Sequence, residues 1–268
     1  MNRRGDLDAV IVGGGAIGAA LALALARDDF DVALIEKSAP KPWRAEDDVD
    51  LRVVALAPDT RDLLDDLGVW NAIAAARIGA YRQMRVWDAS APGELSFDAA
   101  EQGHAALGWI VENRLVQDAL WQAVAAHPRV RLVCPGEVER VGNENRDEGA
   151  AVELTDGTVL RARVVVAADG AESPLRKQLG IACAERDYEQ RAVVAHVATE
   201  RAHEDTAWQR FLPGGPLAFL PLADGRSSIV WSLPNAEATR ILALDDDAFR
   251  NELGCAFDFR LGAIASST

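Results

Sequence analysis

Cysteine is scarce in this 268-residue chain: only Cys134, Cys183 and Cys255 occur, far apart and with no C-x-x-C. That spacing excludes a disulfide frame and a thiolate zinc site, and the three read as small buried residues of a reducing compartment. His104, His127, His196 and His203 show no metal-ligand spacing, so no metal is implied. Positive charge is also short. Twenty-eight Lys and Arg face 42 Asp and Glu, a formal net charge of −14. A nucleic-acid binder carries a basic face, so no nucleic-acid partner is expected. The longest uncharged apolar stretch, Ala16 to Ala26, has 11 residues, against the roughly 20 needed to cross a bilayer. Met1 to Asp8 holds Arg3 and Arg4 but lacks the apolar core of a secretory signal. A cytoplasmic location follows as the expectation, with contact at a membrane surface left open. No Ser/His/Asp or Cys/His arrangement stands out, and no catalytic side chain is named.

What is present is ordinary globular composition, 49% hydrophobic and 26% charged. The length suits one large or two modest domains. The informative stretch is Asp8-Ala9-Val10-Ile11-Val12-Gly13-Gly14-Gly15-Ala16-Ile17-Gly18, followed by Val32-Ala33-Leu34-Ile35-Glu36. An apolar run, a G-x-G-x-x-G turn, an Ala/Leu-rich segment and a second apolar run ending in an acid describe one βαβ unit. Gly13 allows the tight turn, Gly15 lets the backbone approach a pyrophosphate, and Gly18 lets the helix pack closely on the strand. The helix N-terminus faces the phosphates with free N–H groups and its positive dipole end. Glu36, at the end of the second strand, can accept hydrogen bonds from ribose hydroxyls. By itself this fingerprint leaves FAD and NAD open.

Further along, Leu63, Leu64 and Leu67 read as a short helix after Pro58, with Gly68 suited to its C′ position. Tyr81 to Asp88 and Trp109 to Val111 read as strands. Asn113 suits an N-cap for a helix striped by Val116, Leu120 and Val124 and stopped by Pro128. Arg129 to Cys134 alternates as a half-buried strand does, and Val141 to Gly149 reads as a solvated loop. Thr155-Asp156-Gly157 marks a hairpin. Val164 to Ala168 is a continuous apolar run, expected to be a strand buried on both faces. From about residue 185 the strand candidates Val193–Ala198, Trp208–Leu212, Leu217–Leu222 and Ser227–Leu233 suggest a separate antiparallel sheet. A last helix covers Asp245 to Leu253.

The run Val164 to Arg176, VVVAADGAESPLR, resembles the D-G motif of the class A flavin-dependent aromatic hydroxylases, the p-hydroxybenzoate hydroxylase fold. Asp50 to Leu56 matches that family's D-x-R-x-x-A-L, and Glu112-Asn113-Arg114-Leu115 its arginine-bearing helix start. Leu212 to Leu222 and Ile229 to Ser232 resemble the substrate-domain sheet of its ubiquinone-biosynthesis branch. The likeness runs in family order from about Asp8 to Leu233. It implies an α/β fold: a Rossmann-like FAD-binding domain (βαβ plus a three-stranded β-meander) with an inserted antiparallel-sheet substrate domain. The domains would be 1–78 with 109–180, and 79–108 with 181–268.

The resemblance implies FAD as cofactor, with Gly13, Gly15, Ala16 and Gly18 at its pyrophosphate and Glu36 and Lys37 at its adenosine ribose. Arg52 and Arg114 would lie near flavin and pyrophosphate, Val138 would meet adenine through its backbone, and Asp169-Gly170 would serve the pyrophosphate region. A carboxylate cannot bind phosphate directly, so Asp169 would act through water or by holding nearby backbone amides. Ser173, Pro174 and Arg176 read equally well as the capped start of a helix. In that family NADPH or NADH reduces the flavin, and O₂ adds to give a flavin C4a-hydroperoxide that hydroxylates a phenolic ring. The implied substrate is a polyprenylated phenol, a quinol precursor on the ubiquinone pathway, with docking at the inner membrane or a ubiquinone-synthesis complex. Two alternatives remain: a related FAD oxidase or dehydrogenase, and a non-catalytic flavin-fold subunit of such a complex. The family's third motif, G-D-A-x-H, is missing, since the one Gly-Asp here is Gly5-Asp6. The chain is therefore expected to be truncated at its C-terminus, with weak FAD binding and little turnover on its own.

Overall fold

The computed structural model describes residues 7–142 and 149–268. Gly5-Asp6 and most of the loop expected at 141–149 lie outside the described residues. By compactness the chain divides into two units, 1–44 with 63–73 and 114–184, and 45–62 with 74–113 and 185–268. Residues 45–62, 74–78 and 109–113, which the sequence suggests for the FAD-binding part, group with the second unit, and 181–184 group with the first.

The first unit is built on a six-stranded sheet. It begins as the glycine pattern predicts, with β1 (Leu7–Val12), α1 (Ala16–Arg27) and β2 (Val32–Ile35). The strand order is Val130–Val133, β2, β1, Val159–Ala167, Ala150–Leu154, Val138–Gly142. The first four run parallel and the last two complete an antiparallel meander. β1 and β2 are apolar on both faces because both are covered: Val10, Ile11, Val32, Ala33 and Leu34 are fully buried. Each such Val, Leu or Ile contributes roughly 1.5–3 kcal/mol of transfer free energy. Helix α1 meets the sheet through Ala19, Ala22 and Ala26, small enough to let it sit close.

Where Val164 to Ala168 was expected to be buried on both faces, the strand is only half covered. α1 packs mainly on β1, β2 and Val130–Val133, which leaves Val164 49% exposed. The cysteine expectation is also corrected, because Cys183 and Cys255 are exposed and Cys134 is half-buried. Asp-Gly turn chemistry works as read: Gly157, at φ +84, closes the hairpin between Ala150–Leu154 and Val159–Ala167.

The second unit carries a seven-stranded sheet in the order Ile264–Ser267, Gln190–Thr199, Ser227–Pro234, Gly215–Pro221, Thr206–Leu212, Gln83–Asp88, Glu94–Asp98. Only the Thr206–Leu212 and Gln83–Asp88 pair is parallel. Helices Asn235–Leu242 and Asp246–Ala256 join one face of the sheet in a core around Trp87, Phe219, Ile229, Trp231 and Phe257. Phe219 and Phe257 stack with ring centroids 3.7 Å apart. A small sheet of Val53–Leu56, Gly108–Glu112 and Gly79–Tyr81 completes the unit. The single strand expected over Tyr81 to Asp88 thus breaks at Arg82, and its two parts belong to different sheets. The helix expected to be capped by Asn113 begins at that residue. Among the described residues no helix is long and apolar enough to cross a membrane, and no group of side chains could hold a metal ion.

Candidate functional site

The predicted glycine turn is held by backbone bonds from both neighbouring strands. Gly13 has φ +107, and its N–H donates to the Ile35 carbonyl at 2.8 Å. On the other side Ala168 N–H donates to the Val12 carbonyl at 2.8 Å. A Cβ on Gly13 would collide with the Ala168 carbonyl oxygen, and one on Gly18 with the Gly13 carbonyl oxygen. Gly15 differs. It is the residue preceding α1, in ordinary extended backbone at φ −66 and ψ 177, and a Cβ there would meet nothing within 4 Å. The first turn of α1, Ala16 included, presents N–H groups that the helix itself cannot satisfy.

Glu36 follows β2 directly. Its Oε2 accepts the Gly14 N–H at 2.5 Å and its Oε1 the Ser38 N–H at 3.2 Å, so the carboxylate ties the end of β2 to the glycine turn. Lys37 Nζ reaches Glu137 Oε1 at 2.8 Å, both groups exposed, so solvent screens the pair and it adds little to stability. Glu137 raises the Lys37 pKa by accepting that hydrogen bond.

Asp169 lies beyond the end of the Val159–Ala167 strand, before Gly170 at φ +92. Its Oδ1 accepts the Ser173 hydroxyl at 2.5 Å and its Oδ2 accepts the Leu175 N–H at 3.1 Å. The Ser173 Oγ in turn accepts the Arg176 N–H at 3.0 Å. Ser173 is therefore the N-cap of the short helix Pro174–Gln178, with Pro174 in the first turn.

These pieces enclose one cleft of about 250 Å³ in the first unit, walled by Gly13, Glu36, Lys37, Glu137, Val138 and Asp169. Its charge is mostly carboxylate, and Lys37 is already paired. Such a wall suits hydroxyl and amine donors, while the start of α1 is the place for an anion. Arg114 stands in the first turn of the Asn113–Ala126 helix, in the same unit. Arg52 is exposed and belongs to the second unit. Sequence reasoning overlooked Gly136 and Glu137. Gly136 N–H donates to the Glu36 carbonyl at 2.9 Å, and a Cβ there would crowd Val133 and Ile35. The Pro135-Gly136 pair between two strands was the available signal.

The FAD binding domain family matches residues 6–253. The chain belongs to that family. It is 39% identical over 254 residues to the 3-demethoxyubiquinol 3-hydroxylase of Escherichia coli K12, covering 95% of this chain and 64% of that enzyme. Against the human mitochondrial ubiquinone biosynthesis monooxygenase COQ6 it is 34% identical over 263 residues, covering 93% of this chain and 56% of that protein. PqsL of Pseudomonas aeruginosa, solved with 2-aminobenzoylacetate, shares the fold with a TM-score of 0.76 at 21% identity, over 98% of this chain and 72% of PqsL. The chain thus spans a little over half to nearly two thirds of the two relatives whose sequences it matches.

The residues present fit the adenosine and pyrophosphate end of FAD. Open space lies where a Gly15 side chain would stand, so a phosphate can approach the backbone there. The fit also rests on the cleft beside Glu36, where a carboxylate meets a wall rich in acceptors for sugar hydroxyls.

Proposed function

We propose that the chain is the FAD-holding and substrate-facing part of a monooxygenase that hydroxylates a phenolic, polyprenylated ring on the way to ubiquinone. The observation that carries this is the open space at Gly15 together with the cleft lined by Gly13 and Glu36, in a chain 39% identical to a 3-demethoxyubiquinol 3-hydroxylase. In this reading the first unit holds FAD. Gly13, Gly15, Ala16 and Gly18 bring backbone N–H groups to the pyrophosphate. Glu36 keeps lone pairs beyond those used by Gly14 and Ser38, and these accept the ribose hydroxyls, with Lys37 at the rim. Val138 lies against the adenine. Asp169 supports the site by holding the Ser173 hydroxyl and the Leu175 amide, while Gly170 permits close approach. Arg114, in the same unit as Glu36, supplies a guanidinium donor toward phosphate. When bound, FAD would supply the redox chemistry, that of a hydride acceptor from NADPH or NADH and of O₂ activation. The protein's share is to orient the ring and keep water out. A prenylated substrate places the work of a cytoplasmic chain at the inner-membrane surface.

Two measurements test this. Titration of the chain with FAD and with NAD, followed by fluorescence, should show FAD bound more tightly. Preference for NAD, or no binding of either, refutes the reading. Turnover of a phenolic substrate with NADPH under ¹⁸O₂ should leave label in the product. Hydrogen peroxide with unlabelled product would identify an oxidase.

A further inference from the structure

Glu94–Asp98 is the last strand of the seven-stranded sheet, five residues long and paired on one side only, with Gln83–Asp88. Among the described residues no strand pairs with its outer edge. Natural sheets guard such an edge with a lysine or proline in the strand, a bulge or a covering loop. Glu-Leu-Ser-Phe-Asp contains neither lysine nor proline, and its register against Gln83–Asp88 is unbroken. Four of its five residues are exposed, so nothing covers it.

Alternation sorts the strand into two faces. Leu95, 64% exposed, and Phe97, 43% exposed, stand opposite Val86 and Met84 and carry the apolar side of the sheet to its rim. Glu94, Ser96 and Asp98 point the other way, to the side of Trp87. Glu94 Oε2 accepts Arg260 Nη1 at 2.9 Å, and its Oε1 accepts Arg85 Nη1 at 3.5 Å. Arg260 also lies over the Trp87 ring, 4.8 Å from its centroid, which fixes the guanidinium at the rim. Asp98 Oδ1 accepts the Ala100 N–H and its Oδ2 the Gln83 amide, both at 2.9 Å. All these residues belong to the second unit.

We propose that this edge joins two copies of the chain, with two Glu94–Asp98 strands pairing antiparallel about a two-fold axis at Ser96. That register sets Leu95 of one copy opposite Phe97 of the other, twice, on the apolar side. On the polar side Asp98 of one copy meets Glu94 of the other, which brings Arg85 and Arg260 with it. Each end of the seam then holds two carboxylates and two guanidiniums and closes without net charge. The strand is thus complementary to itself in both its apolar and its charged pattern, which is what a two-fold contact requires. Such a contact uses each Glu94–Asp98 edge once, so assembly stops at the dimer. Five residues a side are few against the roughly 1,600 Å² of a standard interface, so the pair is weak, half-formed at on the order of 10–100 µM. The proposal is independent of the FAD reading.

Sedimentation equilibrium between about 5 and 500 µM should show the average mass rise from one chain toward two. Amide exchange over 94–98 should slow about fivefold at the upper concentration, because the outward N–H groups gain partners. Leu95→Lys places the usual guard on the edge and should weaken association about tenfold, with melting at the lowest concentration kept. Exchange is read on the unsubstituted chain, so the proposal remains testable even if that variant folds poorly. A chain that stays monomeric throughout overturns the proposal and leaves the edge to a strand of another protein. Association that runs past two copies, that leaves exchange over 94–98 unchanged, or that a folded Leu95→Lys chain retains at full strength overturns it as well.

Discussion

Gly15 and Gly18 lie three residues apart in one motif, yet alanine should do opposite things at the two positions. At Gly18 the new Cβ would fall on the Gly13 carbonyl oxygen, well inside the 3.0 Å that real Cβ atoms respect, with the Ala168 methyl at 3.3 Å. Alanine gains about 1 kcal/mol in a helix interior. Backbone overlap costs about 3 kcal/mol, the upper part of the range for overpacking, because neither the turn nor the strand can yield without losing its ladder bonds. The net is a loss of about 2 kcal/mol, a fall in Tm of roughly 4–8 °C. At Gly15 the backbone is ordinary, and the Cβ meets nothing. Alanine is a poorer N-cap than glycine by about 0.5–1 kcal/mol, and the stiffer unfolded chain returns about 0.4–1 kcal/mol. Stability should therefore stay within about 0.5 kcal/mol. The methyl nevertheless stands where the pyrophosphate would come, and FAD affinity should fall at least tenfold, about 1.4 kcal/mol. Thermal melts by circular dichroism and FAD titration by fluorescence check both variants. A Gly15→Ala chain that binds FAD within twofold of the parent, or a Gly18→Ala chain that melts with it, refutes the reasoning.

Other expectations follow from single contacts. Glu36→Ala deprives the Gly14 N–H of a charge-assisted acceptor and should lower stability by about 1–2 kcal/mol while weakening FAD binding; an unchanged urea midpoint would contradict it. Ser173→Ala removes a helix cap and the hydroxyl on Asp169, costing about 1 kcal/mol, visible as faster amide exchange over 175–178. His196 is 2% exposed; burial lowers its pKa from the ordinary 6.5, Arg226 adds to this, and Asp224, Glu112 and Asp50 oppose it. The unfolded chain therefore binds the proton more readily. The stability from a neutral His196 is present above about pH 6.5 and is lost as pH falls through the lower folded value. Urea midpoints between pH 7.5 and pH 5 should fall less steeply in His196→Gln; parallel curves would exclude His196 as a source of the slope.

Much of the first unit was legible because its signals are local. The glycine turn, the small-residue helix, the hairpin at Asp156-Gly157 and the cap at Ser173 depend on neighbours a few residues away. The second unit was less legible. Six of its strand candidates were found, one of them split at Arg82, but Val53–Leu56, Glu94–Asp98 and Ile264–Ser267 are short and take their pairing from distant partners. The break at Arg82 could not be read, since alternation does not tell which sheet a strand joins. Arg77 carried no signal either: its partner Glu112 is 35 residues away, and an isolated arginine reads as a surface charge.

The amino-acid sequence by itself determined the βαβ start, the need for glycine at Gly13 and Gly18, and membership in a flavin-binding family. Those rest on steric limits of the backbone and on short-range periodicity. Only the tertiary structure decided that Glu36 reaches back to Gly14, that Asp169 holds the Leu175 amide, that Val164 stays half exposed, and that Glu112 gathers Arg77 and Asp50. For Glu36, Val164 and Glu112 the cause is packing between segments far apart in sequence, whereas the Asp169–Leu175 bond spans six residues. A carboxylate's partner is whatever amide or guanidinium the packing brings within 3 Å or so, and strand pairing sets that over separations no local pattern records.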